Sequence, residues 1–115
     1  MNDDIVFMMK IYGTYDIDWM GDEIKSSSDL TRHHIIKKED GGENGISNYA
    51  LLTTRSHHLM HYLEDNDYNT YCIINNMFLE LNRSCKPPTV DYYSRMKAII
   101  KKVKKEIKYS NRRRR

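Results

Sequence analysis

LTRHHIIKKEDGGENGISNYALLTTRSHHLMHYLE, Leu30–Glu64, holds all five histidines of the 115-residue chain, and its reading decides the fold. Two β-like runs, LTRHHII and NYALLTT, flank a polar KKEDGGENG segment whose paired glycines permit the positive φ angles of a wide turn. That pattern predicts an antiparallel hairpin with a long loop. The next segment, RSHHLMHYLE, carries helix formers with Leu59, Tyr62 and Leu63 toward one side. Thr54 or Ser56 is available as its N-cap, and Asp65-Asn66-Asp67 ends it. In such a helix His57 and His61 stand four residues apart on one face. His58 points about 100° away from His57, toward the surface or a bound nucleic acid.

Working outward, Ile5–Tyr12 (IVFMMKIY) is compatible with a strand or a short helix, and we lean to helix or irregular structure. Gly13–Ser28 reads as loop with at most one helical turn, and Trp19 is placed as a cap on the core. Tyr71, Ile74, Phe78 and Leu81 recur at three- and four-residue steps, predicting a second helix from about Tyr68 to Asn82 that Lys86-Pro87-Pro88 stops. A last helix is expected from about residue 89 to 109. Met96, Ile99, Ile100, Val103 and Ile107 form its apolar stripe, and lysines cover the remaining surface.

The chain is one domain, 1–115, large enough for a modest core and too small for separate cofactor and substrate domains. Its 30% charged residues and mean hydropathy of −0.78 are those of a water-soluble chain with a lean core. No apolar run approaches the roughly 20 residues of a bilayer span. No secretory leader is recognisable in MNDDIVFMMK, so a cytoplasmic location, no membrane partner and reduced thiols at Cys72 and Cys85 are expected. The net charge of +3 hides an asymmetry: residues 1–85 hold 7 Lys and Arg against 14 Asp and Glu, and residues 86–115 hold 12 against 2. The basic end, Lys101, Lys104, Lys105 and Lys108 with the tail at 110–115 that closes in Arg112, Arg113, Arg114 and Arg115, suits a phosphate backbone.

Hydrolysing a phosphodiester near neutral pH requires a base for water, a cation for the developing charge, and something that orients the base. Imidazoles titrate in the useful range and bind first-row divalent metals, so a histidine cluster can divide these tasks. The order His33-His34, Asn48, His57 and His61 resembles the HNH nucleases, and its spacing is similar to that of their colicin-type branch. The resemblance covers about a third of the chain. It implies an α+β fold: a small ββα-metal (His-Me finger) unit over about 30–64 with two additional C-terminal helices. It further implies that His33, His57 and His61 bind one divalent ion (Mg, Mn, Ni or Zn), that His34 is the general base, and that Asn48 holds the hairpin and orients His34.

Two departures from the family pattern stand out. Lys37 occupies a position where many members carry proline, and Thr53 and Ser56 stand where many carry a zinc-ribbon Cys pair, so no structural zinc is expected. Neighbouring strand residues also point to opposite faces, so His33 and His34 serve one site only at a bulge or strand end. The favoured activity is metal-dependent endonucleolytic cleavage of DNA, by analogy in a phage or mobile-element protein. The alternative is a non-catalytic binding protein on the same scaffold that regulates a nucleic-acid-processing complex through DNA or a protein partner.

Overall fold

Asn2 accepts a hydrogen bond from the Asp4 amide at 2.8 Å and opens helix α1 (Asp3–Tyr12), whose first-turn acids complement the helix dipole. Gly13, at φ 60°, closes it. Helix, rather than strand, is therefore what Ile5–Tyr12 forms, burying Ile5, Met8 and Tyr12. The structure, a computed structural model, describes residues 2–113, with side chains through Ser110. In it two antiparallel strands and four helices make an α+β fold. None of the described helices is long and apolar enough to cross a membrane.

Strands β1 (Leu30–His34) and β2 (Tyr49–Thr53) pair in regular register, with His33 opposite Ala50 and His34 opposite Tyr49. Helix α2 (Thr54–Asn66) follows β2 without a linker. Its cap is Thr53, one residue earlier than expected, whose hydroxyl accepts from the Ser56 amide at 3.2 Å. Asp67 closes α2 and caps α3 (Tyr68–Ser84), and Thr89 accepts from the Tyr92 amide at the start of α4 (Val90–Arg113). Helix α4 runs past the expected end at 109, since Ser110 to Arg113 contain neither Gly nor Pro and Arg is a good helix former.

A two-stranded hairpin is marginal in water by itself, so its faces must be covered. All five residues of β2 are buried. Thr31 and His33 face α2 and α3, whereas Arg32, on the other face of β1, pairs with Asp4 of α1 at 3.4 Å. Trp19, expected to cap the core, is fully buried, edge-on to Tyr12 and Phe78, with its indole N–H donating to Thr14. Cys72 and Cys85 are free thiols.

The segment around Trp19 is fixed by a buried carboxylate. Asp18 accepts from the amides of Met20 and Asp22 at 2.9 and 2.8 Å through one oxygen, and from the Thr53 amide at 2.9 Å through the other. Burial pushes its pKa up, and the hydrogen bonds act against that rise. Asp18→Ala leaves three backbone donors without this acceptor. We expect a loss of about 3 kcal/mol of unfolding free energy, read by urea titration; a loss below about 1 kcal/mol would refute the role assigned to Asp18.

Candidate functional site

Strand alternation places Thr31 and His33 on one face of β1, and the four-residue spacing in α2 turns His57 and His61 toward the same place. The His33 ring lies edge-on to His57 with centroids 5.5 Å apart, and His57 stacks on His61 at 4.9 Å with an interplanar angle of 10°. Three histidines singled out in the sequence thus form one row across the strand–helix junction. Imidazole lone pairs lie in the ring plane, so in the stack those of His57 and His61 lie in nearly parallel planes. Among the described residues no group of three or more His, Cys, Asp or Glu stands in a metal-binding arrangement.

Burial grades the row. His33 is only 5% exposed, His57 is half-buried and His61 is exposed. Desolvation lowers the pKa of His33 to about 4, helped by the neighbouring histidines and opposed by a hydrogen bond with Asn75. Desolvation also lowers that of His57, with His61, His58 and His34 adding to the effect. Both are therefore neutral at pH 7, the form in which imidazole ligates metal. His33 Nε2 lies 2.9 Å from Asn75 Oδ1, and His57 Nδ1 lies 2.7 Å from Thr31 Oγ1.

His34 follows a different course. No bulge interrupts the ladder, so its ring stands on the opposite face of β1 from His33, edge-on to Tyr49 at 5.1 Å, with Nε2 2.8 Å from Asn44 Oδ1. It is the last residue of the strand and still within electrostatic reach of His33 and His57.

Asn48 is buried and binds backbone alone. Its Oδ1 accepts from the Ile36 amide at 2.8 Å, and its Nδ2 donates to the carbonyls of Ile36 and Glu43 at 2.8 and 3.1 Å. It thereby closes the loop that begins after His34, without hydrogen-bonding the His34 ring itself. The paired glycines of the loop serve different ends. Gly41 takes φ 90°, whereas Gly42 is required because a Cβ there would collide with the Ile36 carbonyl.

Residues that sequence reasoning missed are Thr31, Asn44 and Asn75. Thr31 was accessible, since alternation puts it beside His33; Asn75 lies 42 residues from its partner, and no spacing rule links them. The expected nucleic-acid residues are spread out. Lys101 and Lys104, with Lys97, line one wall of a groove of about 790 Å³ whose other wall includes Met20, Arg55 and Leu59. Leu59 lies about 200° around α2 from His57, so this groove and the histidine row occupy opposite sides of that helix. Lys105 and Lys108 are exposed. The side chains of Arg112 and Arg113, and Arg114 and Arg115 altogether, lie outside the described residues. His58 is exposed, as its position predicts.

Compared with family models, curated proteins and solved structures, the chain matches none.

The low pKa of His33 has a consequence for stability. Between its ordinary value of 6.5 and about 4, the unfolded chain binds a proton that the folded chain does not. The contribution is complete above pH 6.5 and is lost as pH falls toward 4, by roughly 3 kcal/mol in all. Urea unfolding of metal-free protein at several pH values should show this loss, and His33→Gln should flatten it. An unchanged pH slope in the variant would show that His33 is not its source.

Proposed function

We propose that the chain is a metal-dependent endonuclease acting on DNA, with His33, His57 and His61 holding one divalent ion and His34 serving as general base. The observation that carries this reading is the row of three imidazoles contributed by two adjoining elements, two of them kept neutral by burial. The chemistry of the donor set suits such an ion once the rings turn out of their present arrangement. The set is nitrogen-only, and the exposed His61 carries no hydrogen bond among the described residues, so its ring can turn out of the stack without breaking one. When bound, the ion supplies neutralisation of charge on the phosphate and the leaving oxygen.

The chain's own residues supply the remainder. His34, donating from Nε2 to Asn44, keeps Nδ1 as the atom that takes a proton from water. Asn48 fixes the loop that positions His34 at the strand end. The hairpin and α2 in this reading form a ββα-metal unit, with α1, α3 and α4 around it. Because residues 1–85 are net negative, attraction for the phosphate backbone must come from the lysines of α4 and the arginines that follow.

A second reading, a non-catalytic binding protein on the same scaffold, draws on the groove between α2 and α4, whose apolar floor suits a protein partner better than a phosphate chain.

Plasmid DNA incubated with the protein and Mg²⁺, Mn²⁺, Ni²⁺ or Zn²⁺ separates the two. We expect cleavage with at least one metal, and a fall of about 100-fold or more in His34→Ala with metal affinity retained. Failure to cleave with every metal, alongside persistent binding to nucleic acid or protein, would favour the second reading.

A further inference from the structure

The hydrogen bonds around the histidine row determine where each ring carries its proton. Thr31 Oγ1 lies 2.9 Å from the Leu52 carbonyl, which can only accept, so the single hydroxyl proton of Thr31 is committed there. Against His57, 2.7 Å away, Thr31 can then act only as acceptor. His57 must donate, which places its proton on Nδ1 and its lone pair on Nε2.

His33 is fixed by a parallel argument from α3. Asn75 turns Oδ1, an atom that can only accept, toward His33 Nε2 at 2.9 Å. Oδ1 accepts, so His33 carries its proton on Nε2 and its lone pair on Nδ1. No hydrogen bond reaches that Nδ1. Yet no buried side-chain nitrogen or oxygen among the described residues lacks a partner, so Nδ1 borders accessible space.

We infer that Thr31 and Asn75 are positioning residues that set opposite tautomers in the two rings, presenting Nε2 of His57 and Nδ1 of His33 as the nitrogens that take a divalent ion. The inference rests on the metal-site reading above and goes beyond it by naming the ligating atoms and the groups that select them. Ligand imidazoles commonly anchor their second nitrogen in this way, and losing the anchor weakens metal binding roughly 10- to 100-fold. Two unlike anchors, a hydroxyl on the strand and an amide on α3, divide that task here.

Ring tautomers can be read without metal. Long-range ¹H–¹⁵N spectra of ¹⁵N-labelled, EDTA-treated protein should show His57 protonated on Nδ1, the less common form of free imidazole, and His33 on Nε2. Thr31→Val, which keeps the shape and removes the hydroxyl, should return His57 toward the Nε2–H form and weaken Zn²⁺ roughly 10- to 100-fold by calorimetry. Thr31→Ser should restore both. Asn75→Leu should release His33, and Asn75→Asp, which keeps an acceptor toward Nε2, should hold it. Wild-type His57 protonated on Nε2 would overturn the inference with no variant needed. The two possible failures are distinguishable: wrong tautomers with tight Zn²⁺ binding overturn the positioning roles alone, whereas the stated tautomers with no Zn²⁺ binding overturn the metal site and the roles with it.

Discussion

One buried carboxylate connects the parts of this fold. Asp18 accepts the amide of Thr53, the residue that ends β2 and caps α2, while its other oxygen fixes the loop carrying Trp19. Loop, strand end and helix start therefore meet at a single side chain. Its desolvation is unfavourable, as its raised pKa records, and the converging N–H donors offset that cost. Because α2 leaves β2 with no intervening residue, the direction of the helix is set at this junction. So is the approach of His57 and His61 to His33.

The same economy shapes the candidate site. A fully lipophilic side chain at position 33 would pack against Phe78 and Ala50 with no polar group to satisfy. His33 instead brings a polar ring into the core, where it depends on Asn75 of α3. Such a chain of buried polar groups is worth retaining only when each member is paired, and here none of the described buried side-chain nitrogens and oxygens is left alone. Most of the cost falls on His33. The row then grades outward to the exposed His61, so its inner end is buried and its outer end is open to solvent.

What could be read in the sequence follows from how local each determinant is. The hairpin, α2 and the convergence of His57 with His61 were legible because alternation and a four-residue spacing are properties of one segment. So were α3 and most of α4, through their apolar repeats and the prolines between them. Helix α1 was ambiguous because its eight-residue, mostly apolar stretch Ile5–Tyr12 fits either period; Asn2 and Gly13, which decide the matter, act through cap geometry. The depth of Trp19 in the core was not legible because one of the rings against it, Phe78, comes from α3, far along the chain. The resemblance implied that Asn48 would hold the hairpin and orient His34; its side chain instead binds the backbone of Ile36 and Glu43, while His34 pairs with Asn44, contacts that no local spacing rule encodes.

Charge segregation bears on the proposed activity through distance. Coulombic attraction between exposed groups fades beyond about 10 Å at moderate salt, so the lysines of α4 act only on phosphates close to them. Lys101 and Lys104 line a groove on the far side of α2 from the histidines. A duplex bound at the histidine row must therefore reach Lys101 and Lys104 by passing around α2, or else rely on Lys105, Lys108 and the terminal arginines for its grip. Cleavage and affinity would then be supplied by separate faces of the same small domain. Salt would act mainly on binding, while the chemistry at the row would depend on the neutrality that burial imposes on His33 and His57.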